Sequence, residues 1–465
     1  MRIILKDLGP FREACIQMKP LTIFMGPNNT GKTWASYAIA GLFSPRSFRE
    51  YMKFIRTNKF LDYYPIIEET LNKLVIEGNA KIDLEDVFNK YNEIYFDQLA
   101  EILPRWFSNF MGSRRNPFQN AKLKIDLSDD LDSITRKIRE LSIEGKFSVS
   151  KEGNALLNCL KEQGKTTMHF FTTDKNVFDK FPLSELQLFI ARNIMQSIQR
   201  VIYPEVYFFP SERTALTPLA FLFSKRRERD EDQIKDEEID TLMPYPIVEI
   251  LSLLLSAQSA GDFNHRIEES KKDEKILKYI ELAEILQKNI MGGRIDFSDP
   301  KPDPVRDLLF TPVSNKEISV EMPTTSSNVK VLSPLALYLY YFASSDELIV
   351  IDEPEMNLHP RAQAKIAEFL GMLVNAGINI IITTHSPYII DHIMNLMKAY
   401  EKENKEEITD KFYLKNSEAF ISKENVAAYL FDNGEVKNIM DEHGFIDWYT
   451  FSKESEAISN LYFEI

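Results

Sequence analysis

Eight residues near the start of the chain, Gly26-Pro27-Asn28-Asn29-Thr30-Gly31-Lys32-Thr33, fit the pattern G-x-x-x-x-G-K-[ST]. Each residue type has a task in phosphate chemistry. The backbone N–H groups of such a loop and the N-terminus of a following helix face a chain of phosphates. Gly31 permits close backbone approach. Lys32 reaches the β- and γ-phosphates, and Thr33 offers its hydroxyl to Mg2+. Gly26, Pro27, Asn28, Asn29 and Thr30 complete the cradle. The chain holds only 16 glycines in 465 residues, so a pair at this spacing carries weight.

Two later motifs complement the loop. Glu347-Leu348-Ile349-Val350-Ile351-Asp352-Glu353-Pro354 is an apolar run ending in two acids. Asp352 suits a direct or water-mediated Mg2+ partner, and Glu353 suits a base that orients the attacking water. Asn379-Ile380-Ile381-Ile382-Thr383-Thr384-His385-Ser386-Pro387 is a second apolar run with a polar end. A histidine there can hydrogen-bond a γ-phosphate and position the water held by Glu353. Taken singly, the acid pair reads as a solvated turn after a core strand, and the histidine as an ordinary loop residue. Three buried strands with polar ends change that reading, because open α/β sheets bind ligands at the carboxyl ends of their strands.

These motifs demand particular elements. Leu21–Met25 reads as a buried strand and Trp34–Ala40 as a helix, the strand–loop–helix unit the phosphate loop requires. Lys32 and Asp352 lie 320 positions apart, whereas His385 follows Asp352 by 33. Small GTPases and nucleotide kinases keep the second acid within one or two βα units of the loop. GTPases also need an N-K-x-D base reader, and Asn72-Lys73-Leu74-Val75 lacks the Asp. A late Asp-Glu pair followed by a strand and His is the order of ABC-type ATPases.

The segments GPNNTGKT, DEPEMNLHP (Asp352 to Pro360) and TTHSPYII (Thr383 to Ile390) together resemble the OLD/RecF-type ABC ATPases, soluble relatives of SMC heads, several of which act in anti-phage defence. The resemblance covers the first ~45 and last ~135 residues; between them it is carried mainly by Val206-Tyr207-Phe208-Phe209-Pro210-Ser211-Glu212-Arg213. It implies an α/β fold: a P-loop ABC-type ATPase head, a mixed sheet with an antiparallel flank, carrying large and mainly helical insertions. It implies ATP and Mg2+ as cofactors. It also implies a nucleotide sandwiched between two heads, one supplying the loop, acids and His, the other a serine-containing signature at a helix N-terminus. The segment in the matching place is Thr324-Thr325-Ser326-Ser327-Asn328-Val329-Lys330, ahead of the apolar run Val331–Phe342. Ser326 and Ser327 are its candidate phosphate contacts in trans. It lacks the glycines of L-S-G-G, which implies slow turnover, and an ordinary Ser/Thr helix cap is the other reading.

The expected organisation is a head split by insertions. Residues 1–45 hold the first part of the head, 46–200 an insertion that is helical and then β-rich, and 201–215 a head strand and turn. A helical insertion follows over 216–300. Residues 301–400 form the second part of the head, and 401–465 the C-terminal strands that complete it. Strands at Met1–Leu5 and Ala14–Met18 are expected beside the phosphate-loop strand. Others are expected at Lys122–Leu127, Lys146–Ser150 (with a turn at Glu152-Gly153-Asn154), Thr167–Thr172, Arg294–Phe297, Lys411–Leu414, Phe420–Ser422 and Ala427–Phe431. Asn433-Gly434 is a hairpin turn, and Leu183–Arg200 an amphipathic helix.

Composition narrows the partners. A net charge of −14 disfavours a general nucleic-acid coat but leaves room for a local basic groove. The mixed run Ser224–Asp240 reads as solvated surface. Cys15 and Cys159 cannot form a disulfide scaffold and fit a reducing, cytoplasmic location. No apolar run reaches the ~18 residues of a membrane span, so no membrane association is expected. Neither a zinc nor an H-N-H pattern emerges from the six histidines, and the tail is short for a Toprim nuclease. The expected partners are therefore a second copy or a larger homo-oligomer, formed through the heads, and a separate effector, a nuclease or toxin, whose activity the ATPase controls. A DNA-repair ATPase of the RecF/SMC type that clamps DNA is the alternative.

Overall fold

The apolar runs that precede the three polar motifs become neighbours in one sheet. In a computed structural model of the chain, described over residues 1–57, 60–128, 131–148, 156–172, 177–227, 243–260, 264–298, 306–447 and 460, this central sheet has six strands. They are β3 (Leu21–Met25), β9 (Val206–Phe209), β13 (Leu348–Asp352), β14 (Asn379–Thr384), β15 (Val426–Asp432) and β16 (Glu435–Asn438), in the order β16-β15-β3-β14-β13-β9. β15, β3, β14, β13 and β9 run parallel, so their carboxyl ends share one edge; β16 returns antiparallel through the Asn433-Gly434 turn. Both faces are covered, which is why these strands read as continuous apolar runs rather than as alternation.

The pleat divides the strands between two cores. Leu348, Val350, Ile381, Ala427 and Tyr429 face the core shared with helix Lys32–Leu42 and the first insertion. Ile349, Ile351, Ile380, Ile382, Val426 and Ala428 face the core formed with helices Tyr245–Ala260, Glu274–Ile285, Ser327–Tyr341, Pro360–Asn375 and Pro387–Tyr400. The helix Lys32–Leu42 with residues from 46–203 thus covers one face of the central sheet, and helices from between 213 and 400 cover the other.

β1 (Arg2–Leu8) and β2 (Phe11–Gln17) pair with each other as the alternation suggests, but not beside β3. Both edges of β3 are occupied, by β14 and β15, so the hairpin forms its own three-stranded sheet with β5 (Lys122–Asp126). Residues 79–171 contribute an antiparallel sheet β4-β8-β7-β6, with β4 Asn79–Asp83, β6 Ile143–Phe147, β7 Leu157–Lys161 and β8 Thr167–Phe171. β4, β7 and the helix Leu131–Glu140 had no expectation attached to them; the Glu152-Gly153-Asn154 turn lies outside the described residues. β10 (Gly293–Phe297), β11 (Leu308–Pro312) and β12 (Val320–Glu321) form a small antiparallel sheet just before the helix Ser327–Tyr341. Beyond Arg227 the mixed charged run also lies outside the described residues.

Two expected tail strands do not form. The backbone N–H groups of Tyr413 and Leu414 donate to the buried Glu368 carboxylate at 2.8 and 2.6 Å. The Phe420 carbonyl accepts from Asn375 Nδ2 at 2.9 Å. Side chains of the helix Pro360–Asn375 satisfy these backbone groups in place of a neighbouring strand.

Candidate functional site

The site begins with two glycines that nothing larger can replace. Gly26 leaves β3 with φ +137°, and a Cβ there would stand 2.0 Å from the carbonyl oxygen of Phe431 on β15. Gly31 has φ +95°, with Phe11 and Pro10 of the β1–β2 turn about it. A side chain is excluded at both by backbone angle and by contact. Between them the loop arches over Lys32, whose ammonium donates to the Gly26 and Pro27 carbonyls at 3.0 and 2.7 Å. Thr30 Oγ1 donates to the Pro27 carbonyl at 2.9 Å and closes the loop. The helix Lys32–Leu42 then starts with Gly31 at its N-cap and no side chain bonded to its first amides.

Asp352, at the carboxyl end of β13, lies across the groove between strands. Thr33 Oγ1 donates to its Oδ1 at 3.1 Å, and Thr383 Oγ1, at the end of β14, donates to the same oxygen. The Asp352 side chain is buried, and burial raises its carboxyl above the ordinary range against the pull of those two hydroxyls and of Arg213. Glu353 adopts φ +50°, left-handed for a glutamate, and its N–H donates to the Thr383 carbonyl at 3.0 Å. Its Oε1 stands 3.8 Å from His385 Nε2, and both side chains reach the cleft partly exposed. Burial, then Lys32, hold the His385 imidazole below its usual range, with a hydrogen bond to the Gly26 backbone opposing. Burial likewise brings the Lys32 ammonium down to about 8, against the attraction of Asp352, Glu353 and Glu355.

The cleft enclosed by these groups has a volume of about 960 Å3. Asn28, Asn29, Thr30, Gly31, Lys32, Thr33, Asp352, Glu353, Thr383 and His385 line it, so three distant motifs meet at one place. Gly26 and Pro27 contribute through their carbonyls beneath Lys32. Met111, Pro117, Pro244, Pro246 and Ile247 also line the cleft. The donor set fits a magnesium ion: a threonine hydroxyl and a buried carboxylate within hydrogen-bond reach are hard oxygen ligands, at the mouth of a loop made for phosphates.

Ser326 and Ser327 are exposed at the start of the helix Ser327–Tyr341 and are not among the residues lining the cleft. Ser326 Oγ accepts from the Val329 N–H at 3.5 Å, the geometry of a helix cap.

Besides Thr383 and Arg213, three positions at the site were not among the sequence candidates. Ser211 and Glu212 line the cleft from the end of β9. The third, Glu355, has Oε1 accepting from Thr384 Oγ1 at 2.8 Å and the His385 N–H at 2.7 Å, so it fixes the corner that carries the histidine. All three stand inside motifs already quoted, PSER and DEPE. What was missing from the sequence was the direction in which each side chain points.

A parallel sheet with a glycine loop, a hydroxyl–carboxylate pair and an acid–histidine pair at one edge defines a P-loop ATPase of mixed α/β fold. The chain belongs to the family described as AAA ATPase domain, whose model matches residues 1–390. No curated protein matches it. Among solved structures it is similar to an SMC head bound to the C-terminal winged-helix domain of ScpA, at 10% identity and TM-score 0.36, covering 94% of this chain and 96% of that one. It is also similar to the SMC head of Pyrococcus furiosus with an extended coiled coil, bound to the C-terminal domain of ScpA, at 11% identity and TM-score 0.35, covering 98% of each chain. A third is the SMC head domain from Thermotoga maritima, at 9% identity and TM-score 0.29, covering 94% and 97%. No helix among the described residues is long and apolar enough to cross a membrane.

Proposed function

We propose that this chain binds ATP with Mg2+ and hydrolyses it, and that the cycle acts as a switch between associated and separated heads. The observation that supports it is the convergence of Lys32, Thr33, Asp352, Glu353 and His385 on one cleft. In this reading the loop Gly26–Gly31 cradles the phosphates through its backbone, and Lys32 leaves its carbonyls for the β- and γ-phosphates. Thr33 and Asp352 would hold Mg2+, which would supply charge neutralisation at the transferring phosphoryl group. Glu353 accepts a proton from water aimed at the γ-phosphate, and His385 orients that water or the phosphate oxygen. Ser326 and Ser327 would contribute from a second copy, on release of the Ser326 cap. The head is then residues 1–45, 201–215 and 301–465, with 46–200 and 216–300 as the insertions that carry partner and oligomer contacts.

The motif resemblance supports a role for the switch in restraining or scaffolding a separate effector, a nuclease or toxin, in anti-phage defence. The test has two parts. Lys32→Ala and Glu353→Gln should each abolish ATPase, and turnover retained in both would sink the site. Co-purification with the product of the adjacent gene, with and without ATP, then tests the effector; steeply salt-dependent stimulation of ATPase by duplex DNA would redirect the reading to a DNA clamp.

A further inference from the structure

We propose that Arg213 is the positioning residue of the hydrolytic turn: its buried guanidinium pins the backbone of Asp352 and Glu353 and so aims both carboxylates. The inference rests on the ATPase reading above.

Arg213 opens the helix Arg213–Arg227 directly after the cleft residues Ser211 and Glu212, and it is 2% exposed. Its Nη1 donates to the carbonyls of Asp352 at 2.6 Å, Pro210 at 2.9 Å and Phe209 at 3.4 Å. Its Nη2 donates to the Glu353 carbonyl at 2.7 Å. One planar fork therefore spans the carbonyls of two consecutive residues, the two that carry the acids, and ties them to the end of β9. A buried charge is costly unless its bonds are well made. Joining β9 to β13 requires no charge, because the ladder between them already runs from Val206–Leu348 to Phe209–Ile351.

The conformation at Glu353 explains why a rigid clamp is needed. A left-handed glutamate is strained and persists only where its surroundings over-determine it. At Glu353 the N–H is held by the Thr383 carbonyl and the C=O by Arg213 Nη2, so the peptides on both sides are fixed. From that backbone the side chain places Oε1 3.8 Å from His385 Nε2. Without the fork the turn relaxes to an ordinary backbone angle and the carboxylate swings off the water. Lysine keeps the charge but, as a single ammonium, lacks the fork that bridges two carbonyls. The hydrogen bonds of Arg213 run to Phe209, Pro210, Asp352 and Glu353 and not to the phosphate loop, so turnover should depend on it far more than nucleotide binding does.

The experiment compares steady-state ATPase and nucleotide affinity for the full chain, Arg213→Lys, Arg213→Gln and Glu353→Gln, with each rate divided by the nucleotide-binding stoichiometry. Arg213→Lys should lower kcat by about 10- to 100-fold, the scale of a misplacement of about 1 Å, with KM and the nucleotide Kd within about threefold. Arg213→Gln should lose more. A kcat for Arg213→Lys within about twofold of the parent overturns the proposal. So does a loss of binding in step with kcat, or the absence of any folded, nucleotide-binding fraction, since either makes Arg213 a structural strut. Parent turnover that survives Glu353→Gln is a different failure: it removes the site reading itself, and the proposal with it.

Discussion

Two helix N-termini carry the polar residues that a nucleotide sandwich would use, and the structure treats them in opposite ways. At Lys32–Leu42 the cap is a left-handed glycine, no side chain bonds the first amides, and the neighbouring hydroxyl of Thr33 reaches a carboxylate from another strand. At Ser327–Tyr341 the Ser326 hydroxyl bonds the Val329 amide. Thr324 and Thr325 donate to the carbonyls of Glu321 and Met322 at 2.8 Å each, and Lys330 Nζ donates to the Pro323 carbonyl at 2.9 Å. A helix leaves its first N–H groups unsatisfied, and these attract an anion only where nothing local competes. The first terminus therefore presents its amides to phosphate as it stands, and only the Lys32 ammonium must exchange its carbonyl partners. The second must give up its own bonds before it can reach one, in line with the slow turnover expected of a signature segment without glycines.

The largest effects should come from the first terminus and the acid turn it faces. Lys32→Ala and Glu353→Gln should each lower kcat by about 100-fold or more, the scale of removing a group that meets transition-state charge. They should differ in binding: Lys32→Ala loses affinity for ATP, whereas Glu353→Gln keeps it. Equal affinities in the two variants, measured by titration calorimetry, would remove the distinction between cradle and base.

A smaller and more specific effect follows from the lowered Lys32 ammonium. Below pH 8 the lysine is protonated both before and after phosphate binds, so affinity is flat. Above about 8 the free site has lost the proton, and the anionic phosphates restore it on binding. The ATP Kd should thus rise with pH beyond that point, by at most about tenfold per unit. The slope should vanish in Lys32→Ala; a slope that persists there belongs to another group.

The smallest effect should be at the second terminus. Ser326→Ala removes a cap and should cost about 1 kcal/mol of stability, read as a lower Tm, with ATPase falling by no more than about threefold, because Ser327 and the helix amides remain as the contacts in trans. A tenfold fall in ATPase at unchanged Tm would make the two termini equal partners in the chemistry and erase the contrast drawn between them.

The chemistry of this chain was legible where it is local. A strand, a glycine loop and a helix are contiguous, so residues 21–40 announce their own geometry. The acid and histidine strands do so too, because burial on both faces leaves continuous apolar runs. Even the Asn433-Gly434 hairpin follows from which residues tolerate a positive φ. The hairpin of β1 and β2 was legible as a pair but not in its place, because occupancy of the β3 edges is settled by β14 and β15 from the other end of the chain. The tail strands failed for the same kind of reason: the Glu368 carboxylate claims the amides of Tyr413 and Leu414, and Asn375 the carbonyl of Phe420.

By itself, then, the sequence determined the loop, the acids and the histidine as chemical types, together with the parallel sheet their spacing requires. Only the tertiary structure decided which groups hold them. Arg213, Thr383 and Glu355 act across 139, 31 and 29 or 30 positions of chain. A hydrogen bond of that kind depends on where two distant backbones come to rest, and neither propensity nor periodicity records it. The same holds for the contrast between the two helix termini. Both read as polar starts to apolar helices, and only the bonds made in the folded chain distinguish the one that is free to bind an anion from the one that is capped.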